Sequence, residues 1–517
     1  MWAGWWESAQ AAAPTLATTA WHLRPLHPVV VVWLLLLLWR TPRARAPLAV
    51  LGVAALARIL VFEPRVFMHF DRSYATYALA RGNLDPHPVY GDGFASALGL
   101  WWPLLGGPGD HAHAVDAVFA ALTAPWVWLG ALRATGDARA AWAAGLGIAL
   151  LPMPVWMAST ETPYVWIGLL HAVLLATARG PRADRWLAAV SAGLLAHARP
   201  TQIVVAGVAW VALAWGTLRL RSGRSAPEPA EVGGVEPAVD EARAGSWVDL
   251  GPLVLGAGLI CWRVVELVAA LRSGAAGGDA MSARTLSLWL HPGTWAGPGA
   301  HVQALDPWVT PAGVALLAVW GGVRAVRERR GGLALAAALF VVQTALYGHQ
   351  PLRNDLDRFM LPTAAPLVIF AAYGAVAVVG RWRWLMWAGV AASWLVAARP
   401  LEPWPVWVEQ HRFLIAHLHA VPEGRVVRFS DRGDEEGYFF HWINRRADAF
   451  WKPAEGPPQP GELRFVGWAD RLPGAPALPW DRMTAIAEIT APAETRGVLD
   501  IGEAPVRIGI YRVVAPP

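Results

Sequence analysis

The sequence has few charged residues and a single cysteine. Charged residues make up 16% of the 517 residues, whereas a soluble chain usually carries about a quarter. Hydrophobic residues make up 55%, and the mean hydropathy is +0.36. The only cysteine, Cys261, lies in an apolar run, so an internal disulfide is impossible and redox chemistry is not expected. This composition predicts an integral membrane protein.

Lysine is nearly absent, so the net charge of +5 comes almost wholly from arginine. The arginines form short clusters between apolar runs, which indicates orientation in a membrane and not nucleic-acid binding. The N-terminus has neither a basic region nor a clear small-residue cleavage site, so we expect the first apolar run to be a retained helix. The preference for arginine, alanine and glycine is typical of a GC-rich bacterium, which predicts the inner membrane as the location.

Apolar runs long enough to cross about 30 Å of hydrocarbon predict roughly twelve transmembrane helices. The loops between them alternate between a short, arginine-rich kind and a longer kind of mixed charge. The positive-inside rule places the first kind in the cytoplasm and the second kind outside. The predicted spans are 27–39, 47–62, 113–132, 138–157, 162–178, 185–198, 201–218, 249–270, 308–323, 332–348, 359–379 and 383–398.

The chain divides into an N-terminal segment (1–26), a transmembrane domain (27–399) and a C-terminal domain (400–517). The transmembrane domain contains a large outer loop at 63–112 and a Pro/Gly/Ala/Glu-rich cytoplasmic linker at 220–248. The last domain is predicted to be extracytoplasmic and of α/β or α+β class, with a helix at 435–446. Its strands are predicted at 425–430, 462–468, 484–490 and 506–514. The predicted fold class is therefore an α-helical multi-pass membrane protein with a small C-terminal α/β domain.

Ionisable residues gather on the predicted outer side. Asp71 follows an apolar segment and precedes a Tyr/Ala-rich stretch, so its carboxylate could take a proton from a substrate beside an apolar groove. Charges at membrane depth cost about 2.5–3.5 kcal/mol each, so they persist where they pair or line a wet cavity. Further members of this group are Asp92, Glu161, Arg199, His349, Arg353 and Arg358.

Four local features resemble the GT-C superfamily of integral-membrane glycosyltransferases, in particular bacterial relatives of protein O-mannosyltransferases and lipid A aminoarabinose transferases. They are Asp71 followed by Tyr74, Tyr77 and Ala80-Arg-Gly82; His87-Pro-Val-Tyr90; Glu161 at a helix start with Arg199-Pro200 at a helix junction; and Arg358-Phe-Met-Leu-Pro362. The organisation of residues 47–379 resembles the family as well. Arg72 departs from the pattern, because many relatives carry a second acidic residue there.

The resemblance implies transfer of a sugar from a polyprenyl-phosphate donor to an acceptor on the outer face, with inversion at the anomeric carbon. It implies Asp71 as the general base and Arg358 as the cation on the departing phosphate, supported by Arg353, His349 and Arg199. Substrate contacts are expected from Tyr74, His87, Tyr90, Asp92 and Glu161. No cofactor is expected; a divalent metal at Asp92 or Glu161 is conceivable, but no group there has ligand spacing.

Structural interpretations of the same residues stay open. Asp71 could cap the following helix, and Arg358 could be an interfacial anchor or pair with Asp355 or Asp357. Arg199 and Glu161 could bridge two helices, and His87 and Tyr90 could pack within their loop. Arg263 and Glu266 are expected to pair with each other, and His171 to be hydrogen-bonded inside the bundle. At the level of the whole chain, the alternatives are a transporter or flippase for a lipid or small solute, and a non-catalytic membrane scaffold.

Overall fold

The chain forms a bundle of α-helices followed by a small β-sheet. The computed structural model describes residues 26–61, 92–100, 110–158, 163–221, 250–272, 310–346, 357–378, 388–392, 427–429, 451–453, 457–467, 478–491 and 506–515. The helices are α1 His27–Arg40, α2 Arg45–Val61, α3 Gly93–Gly99, α4 Asp110–Thr135, α5 Ala138–Leu150, α6 Pro152–Met157, α7 Pro163–Thr177, α8 Arg182–Ala198, α9 Gln202–Arg221, α10 Gly251–Arg272, α11 Ala312–Arg327, α12 Ala334–Ala345, α13 Asp357–Met360 and α14 Ala364–Ala375.

The helices follow the predicted spans closely and differ at two prolines. The span predicted at 138–157 is broken at Leu151, because Pro152 has no N–H to continue the hydrogen-bond ladder of α5. The span predicted at 359–379 begins with the single turn α13, continues as a 3₁₀ turn at Leu361–Thr363 and only then becomes α14. Both breaks lie inside the bundle, where non-helical backbone needs partners from neighbouring helices. Residues 222–248 of the predicted linker lie outside the described residues, and so does the span 383–398 except for 388–392.

Among the described residues, two helices are long and apolar enough to cross a membrane by themselves, Ala114–Thr135 and Gly251–Ala269. Six shorter apolar helices of 10–17 residues accompany them. The number of membrane spans and the side on which each loop lies therefore stay predictions from the sequence.

Close packing in the bundle comes from small residues and large aromatic rings. The helices α11 and α14 approach so closely that a Cβ on Gly321 would overlap the backbone of Phe370. Small residues at such contacts let apolar helices gain dispersion energy along their whole length. Trp33, which is fully buried, packs edge-on against Trp166 at 6.0 Å, and its Nε1 donates to Ser191 Oγ at 3.0 Å.

The predicted cytoplasmic arginines meet at one end of the bundle. Asp184, at the start of α8, accepts a hydrogen bond from Arg40 at 2.5 Å and forms an ion pair with Arg133 at 2.6 Å. Arg179 donates to the carbonyl of Gly331 at 2.5 Å. These contacts join the C-terminal ends of α1, α4 and α7 to the start of α8 and the turn before α12. We call this end the arginine-rich end.

The C-terminal sheet has five strands in the order β2-β1-β3-β5-β4. They are β1 Val427–Phe429, β2 Trp451–Pro453, β3 Leu463–Val466, β4 Met483–Ala491 and β5 Val506–Val513. β1 runs parallel to β2 and β3, whereas β5 is antiparallel to β3 and β4. Four strands match the predicted ones; the short edge strand β2 was missed. A parallel pair such as β1–β2 needs a crossover of a dozen or more residues, and the helix predicted at 435–446 lies outside the described residues.

Candidate active site

The end of the bundle opposite the arginine-rich end brings together three of the segments singled out from the sequence. α8 carries Asp184 at one end and is followed by Arg199 at the other, about 25 Å away for a helix of this length. The guanidinium carbon of Arg199 lies 4.9 Å from the ring centroid of Tyr164, at the start of α7. The ring of Phe359, next to Arg358, packs edge-on against the same Tyr164 ring at 5.0 Å.

Tyr164 is therefore the meeting point of the Arg199 junction and the Arg358 segment. It lies three residues after Glu161 and is fully buried. A cation over an aromatic face is attracted by the ring quadrupole, a contact worth about 0.5–2 kcal/mol. Sequence reasoning missed Tyr164, because a tyrosine that opens an apolar helix is equally typical of an interfacial anchor.

The local sequence explains why Arg199 lies at a junction. Pro200 disfavours helical backbone in the residue before it, and Arg199 is extended with φ −162° and ψ 155°. The helix α9 then begins at once, with the Gln202 N–H donating to the Arg199 carbonyl at 3.0 Å. The helix α3 packs against the same turn, because a Cβ on Gly93 would lie 2.9 Å from the His197 carbonyl oxygen. Glycine is thus the residue that permits this approach.

Asp92, just before α3, belongs to a charged cluster next to the Arg199 junction. Its carboxylate interacts electrostatically with Arg263 of α10. Arg263 Nη1 lies 3.3 Å from Glu266 Oε2, which confirms the predicted pair, and the same oxygen lies 3.7 Å from His197 Nδ1. His197 Nε2 also bonds the carbonyl of Leu259 at 3.1 Å. The cluster therefore joins α10 to the last turn of α8, just before Arg199 in the sequence.

Arg58 of α2 is a buried cation that was not predicted from the sequence. It is 3% exposed, and its Nη1 donates to the carbonyls of Ala54 and Ala149, both at 3.0 Å. Ala149 lies in the last turn of α5, where carbonyls lack helical partners. Arg58 therefore stabilises the helix break at Leu151. It borders a small cavity lined mainly by apolar residues, Ala120, Ile148, Pro154, Val165, Leu361 and Ala365 among them.

The other predicted site residues fall mostly outside the described part of the chain. For Arg358 the structure gives the backbone, within α13, and for Arg199 and Asp92 it gives the contacts above. The described residues contain no group of three or more His, Cys, Asp or Glu side chains that could hold a metal ion. The residues outside the described ranges are Asp71, Tyr74, His87, Tyr90, Glu161, His349 and Arg353.

No protein-family model matches the sequence, and no curated protein matches it either. Solved structures do match its fold. ArnT from Cupriavidus metallidurans, bound to undecaprenyl phosphate, matches with a TM-score of 0.51 and 14% identity over 91% of this chain and 99% of ArnT. The apo state of ArnT matches with a TM-score of 0.50 and 13% identity over the same shares. The predicted combination of a mostly helical fold with a small sheet is thereby confirmed.

A weaker match is the oligosaccharyltransferase AglB from Archaeoglobus fulgidus, in complex with an inhibitory peptide and a dolichol-phosphate. Its TM-score is 0.42 at 13% identity, over 78% of this chain and 64% of AglB. This chain therefore spans less than two thirds of the length of that oligosaccharyltransferase.

Proposed function

We propose that this protein is a membrane glycosyltransferase that transfers a sugar from a polyprenyl-phosphate donor to an acceptor on the extracytoplasmic face. The observation that carries the proposal is the meeting of the Arg199 junction and the Arg358 segment at Tyr164. It is supported by the fold shared with ArnT, a protein solved with undecaprenyl phosphate bound. A cationic site at the end of an apolar bundle suits a lipid whose phosphate lies at the membrane surface and whose tail lies among helices.

The reaction is a displacement at the anomeric carbon. The acceptor hydroxyl or amine forms a bond to that carbon and loses its proton to Asp71, while the bond from carbon to phosphate oxygen breaks. A positioned general base typically contributes about 10²–10⁴-fold to the rate. Attack from the side opposite the phosphate inverts the anomeric configuration.

The departing lipid phosphate needs positive charge. Arg358 is proposed to bind it, because a guanidinium can donate two parallel hydrogen bonds to phosphate oxygens. Arg199, Arg353 and His349 would add charge around the same group. Arg199 supports this assignment by its position, since it lies on the Tyr164 ring against which the neighbour of Arg358 also packs.

The remaining predicted residues would surround the sugar and the acceptor. Tyr74, His87, Tyr90 and Asp92 belong to the outer loop 63–112, and Glu161 lies three residues before Tyr164 in the sequence. The arginine-rich end would face the cytoplasm by the positive-inside rule, which leaves the Tyr164 end outside. In a bacterium that side is periplasmic, and the C-terminal domain would lie there with the acceptor.

The test is an Asp71→Asn variant in lipid nanodiscs, with a panel of undecaprenyl-phosphate sugars as donors. We expect donor affinity to be retained and turnover to fall about 10²–10⁴-fold, because only the proton acceptor is lost. Asp85→Asn, in the same loop, is the matched control and should leave turnover unchanged. Equal turnover in wild type and Asp71→Asn would remove Asp71 from the mechanism. Lipid scrambling in liposomes without any sugar transfer would favour the transporter.

A further inference from the structure

Three hydrogen bonds, two between buried side chains and one to a backbone carbonyl, cross the bundle beneath the candidate site. His171 Nε2 of α7 lies 3.4 Å from Gln202 Oε1 of α9. Gln202 Nε2 donates to Gln343 Oε1 of α12 at 3.0 Å, and Gln343 Nε2 donates to the carbonyl of Phe359 at 2.9 Å. His171, Gln202 and Gln343 are all fully buried. These contacts confirm the prediction that His171 is hydrogen-bonded inside the bundle. The hydrogen-bond chain extends from His171 through both glutamines to the Phe359 carbonyl.

All donors in this chain point the same way. Gln202 Oε1 can only accept a hydrogen bond, so His171 Nε2 is the donor in this contact. Each amide then accepts through its oxygen and donates through its nitrogen. The last acceptor is a backbone carbonyl, so the direction of the chain ends at the α13 segment. The backbone of Pro362, at the end of the same segment, also interacts with the His171 ring.

The Phe359 carbonyl needs a side-chain donor because of the break between α13 and α14. The backbone changes there from α-helix to a 3₁₀ turn at Leu361–Thr363. Pro362 has no N–H to give to the ladder. Carbonyls released by such a break must find partners within the bundle, because lipid offers none. Gln343 supplies that partner.

The amide pair links the two arginine-bearing junctions. Gln202 opens α9, and its backbone N–H bonds the carbonyl of Arg199 at 3.0 Å. Gln343 bonds the carbonyl of Phe359, the residue next to Arg358. The bond between Gln202 and Gln343 therefore joins the backbone that carries Arg199 to the backbone that carries Arg358. Tyr164 of α7 contacts both segments, through Arg199 and through Phe359.

We infer that Gln202 and Gln343 are positioning residues that fix the spacing between Arg199 and Arg358, so that both guanidinium groups engage one lipid phosphate. This inference rests on the proposed function. Stability calls for a donor to the Phe359 carbonyl but not for the bond between the two amides, because replacing both partners of a hydrogen bond by apolar groups of similar shape is nearly neutral. A satisfied polar chain, in contrast, selects one arrangement of the helices that it joins. Holding Arg199 and Arg358 at a fixed distance requires one such arrangement of the helices.

The test compares a Gln202→Met/Gln343→Met double variant with wild type in nanodiscs, using undecaprenyl phosphate as the probe. Methionine is unbranched and close to glutamine in size, so it leaves no large cavity, but the Phe359 carbonyl and His171 lose their partners and the thermal midpoint should fall modestly. We expect the Kd for undecaprenyl phosphate to rise about tenfold, since two charge-assisted contacts lose their alignment. In a turnover assay the KM for the donor should rise while kcat changes much less.

Ser191→Ala is the matched control, because it removes another buried hydrogen bond, the one donated by Trp33 Nε1, which involves neither junction. It should leave the Kd unchanged. A double variant that binds undecaprenyl phosphate as tightly as wild type would overturn the positioning role and leave the proposed function intact. A wild-type protein that does not bind undecaprenyl phosphate would overturn both. If the double variant does not fold, Gln343→Asn takes its place with the same expected outcomes, because its amide is too short to reach Phe359.

Discussion

The contacts of Arg40 and Arg133 at one end of the helical bundle differ in kind from the contact between Arg199 and Tyr164 at the other end. At the arginine-rich end, Arg40 and Arg133 share the carboxylate of Asp184, whose side chain is 2% exposed. At the opposite end, Arg199 lies over the ring of Tyr164. A carboxylate cancels the charge of a guanidinium, whereas an aromatic ring orients the guanidinium and leaves its charge in place. The end with the aromatic contact is the one that we propose binds the lipid phosphate.

A second pair of contacts sharpens the contrast, because the arginine-rich end also has a cation over a tyrosine. Arg324 lies 4.2 Å from the ring centroid of Tyr373, but it also bonds Glu328 at 2.6 Å. Glu328 accepts from the Tyr373 hydroxyl and from Arg330 as well. Arg324, although stacked on a tyrosine ring, therefore belongs to a network of ion pairs at the arginine-rich end. Such a network joins helix ends, in this case those of α11 and α14.

The largest effect is expected when Arg199 is replaced by methionine. A hydrogen bond to a charged group contributes about 1.5–3 kcal/mol, so the Kd for undecaprenyl phosphate should rise about ten- to hundredfold. Arg324→Met is the matched control, since it removes the same kind of stacked cation at the other end. It should leave the Kd unchanged. Equal losses of affinity in the two variants would show that the two ends of the bundle do not differ in their effect on undecaprenyl phosphate binding.

Asp184→Asn tests the opposite end and should lower stability without changing donor affinity. Removing one partner of a buried ion pair costs about 3–5 kcal/mol when the charge left behind stays buried. Arg40 and Arg133 are each 29% exposed and can reach water, so we expect a loss of about 2 kcal/mol. A denaturant titration in detergent micelles measures it. Unchanged stability together with weakened undecaprenyl phosphate binding would reverse the roles assigned to the two ends.

What could be predicted from the sequence is what depends on local pattern. The helix junction at Arg199 follows from Pro200, and the Arg263–Glu266 pair follows from helical spacing. The pairing of Asp184 with Arg40 joins residues 144 positions apart and has no local signature. The role of Tyr164 could not be predicted from the sequence, because it depends on contacts with Arg199 and Phe359, which lie in distant segments. Gln202 and Gln343 did leave a signal, because an amide in an apolar helix must find a partner, but the sequence does not say which.

The smallest effect concerns Glu328 and pH. Its hydrogen bonds from the Tyr373 hydroxyl and from Arg324 lower the pKa of the carboxyl from 4.5 to about 2. A carboxyl whose pKa is lowered on folding stabilises the protein above its unfolded pKa, and this contribution is lost as the pH falls through the folded value. The thermal midpoint of Glu328→Gln should therefore lie below that of wild type at about pH 6 and converge with it between about pH 4.5 and pH 2. Because Glu328 lies at the arginine-rich end, the variant should bind undecaprenyl phosphate as wild type does at neutral pH. A constant difference in midpoint across this range would show that the network of Glu328 does not depend on its charge.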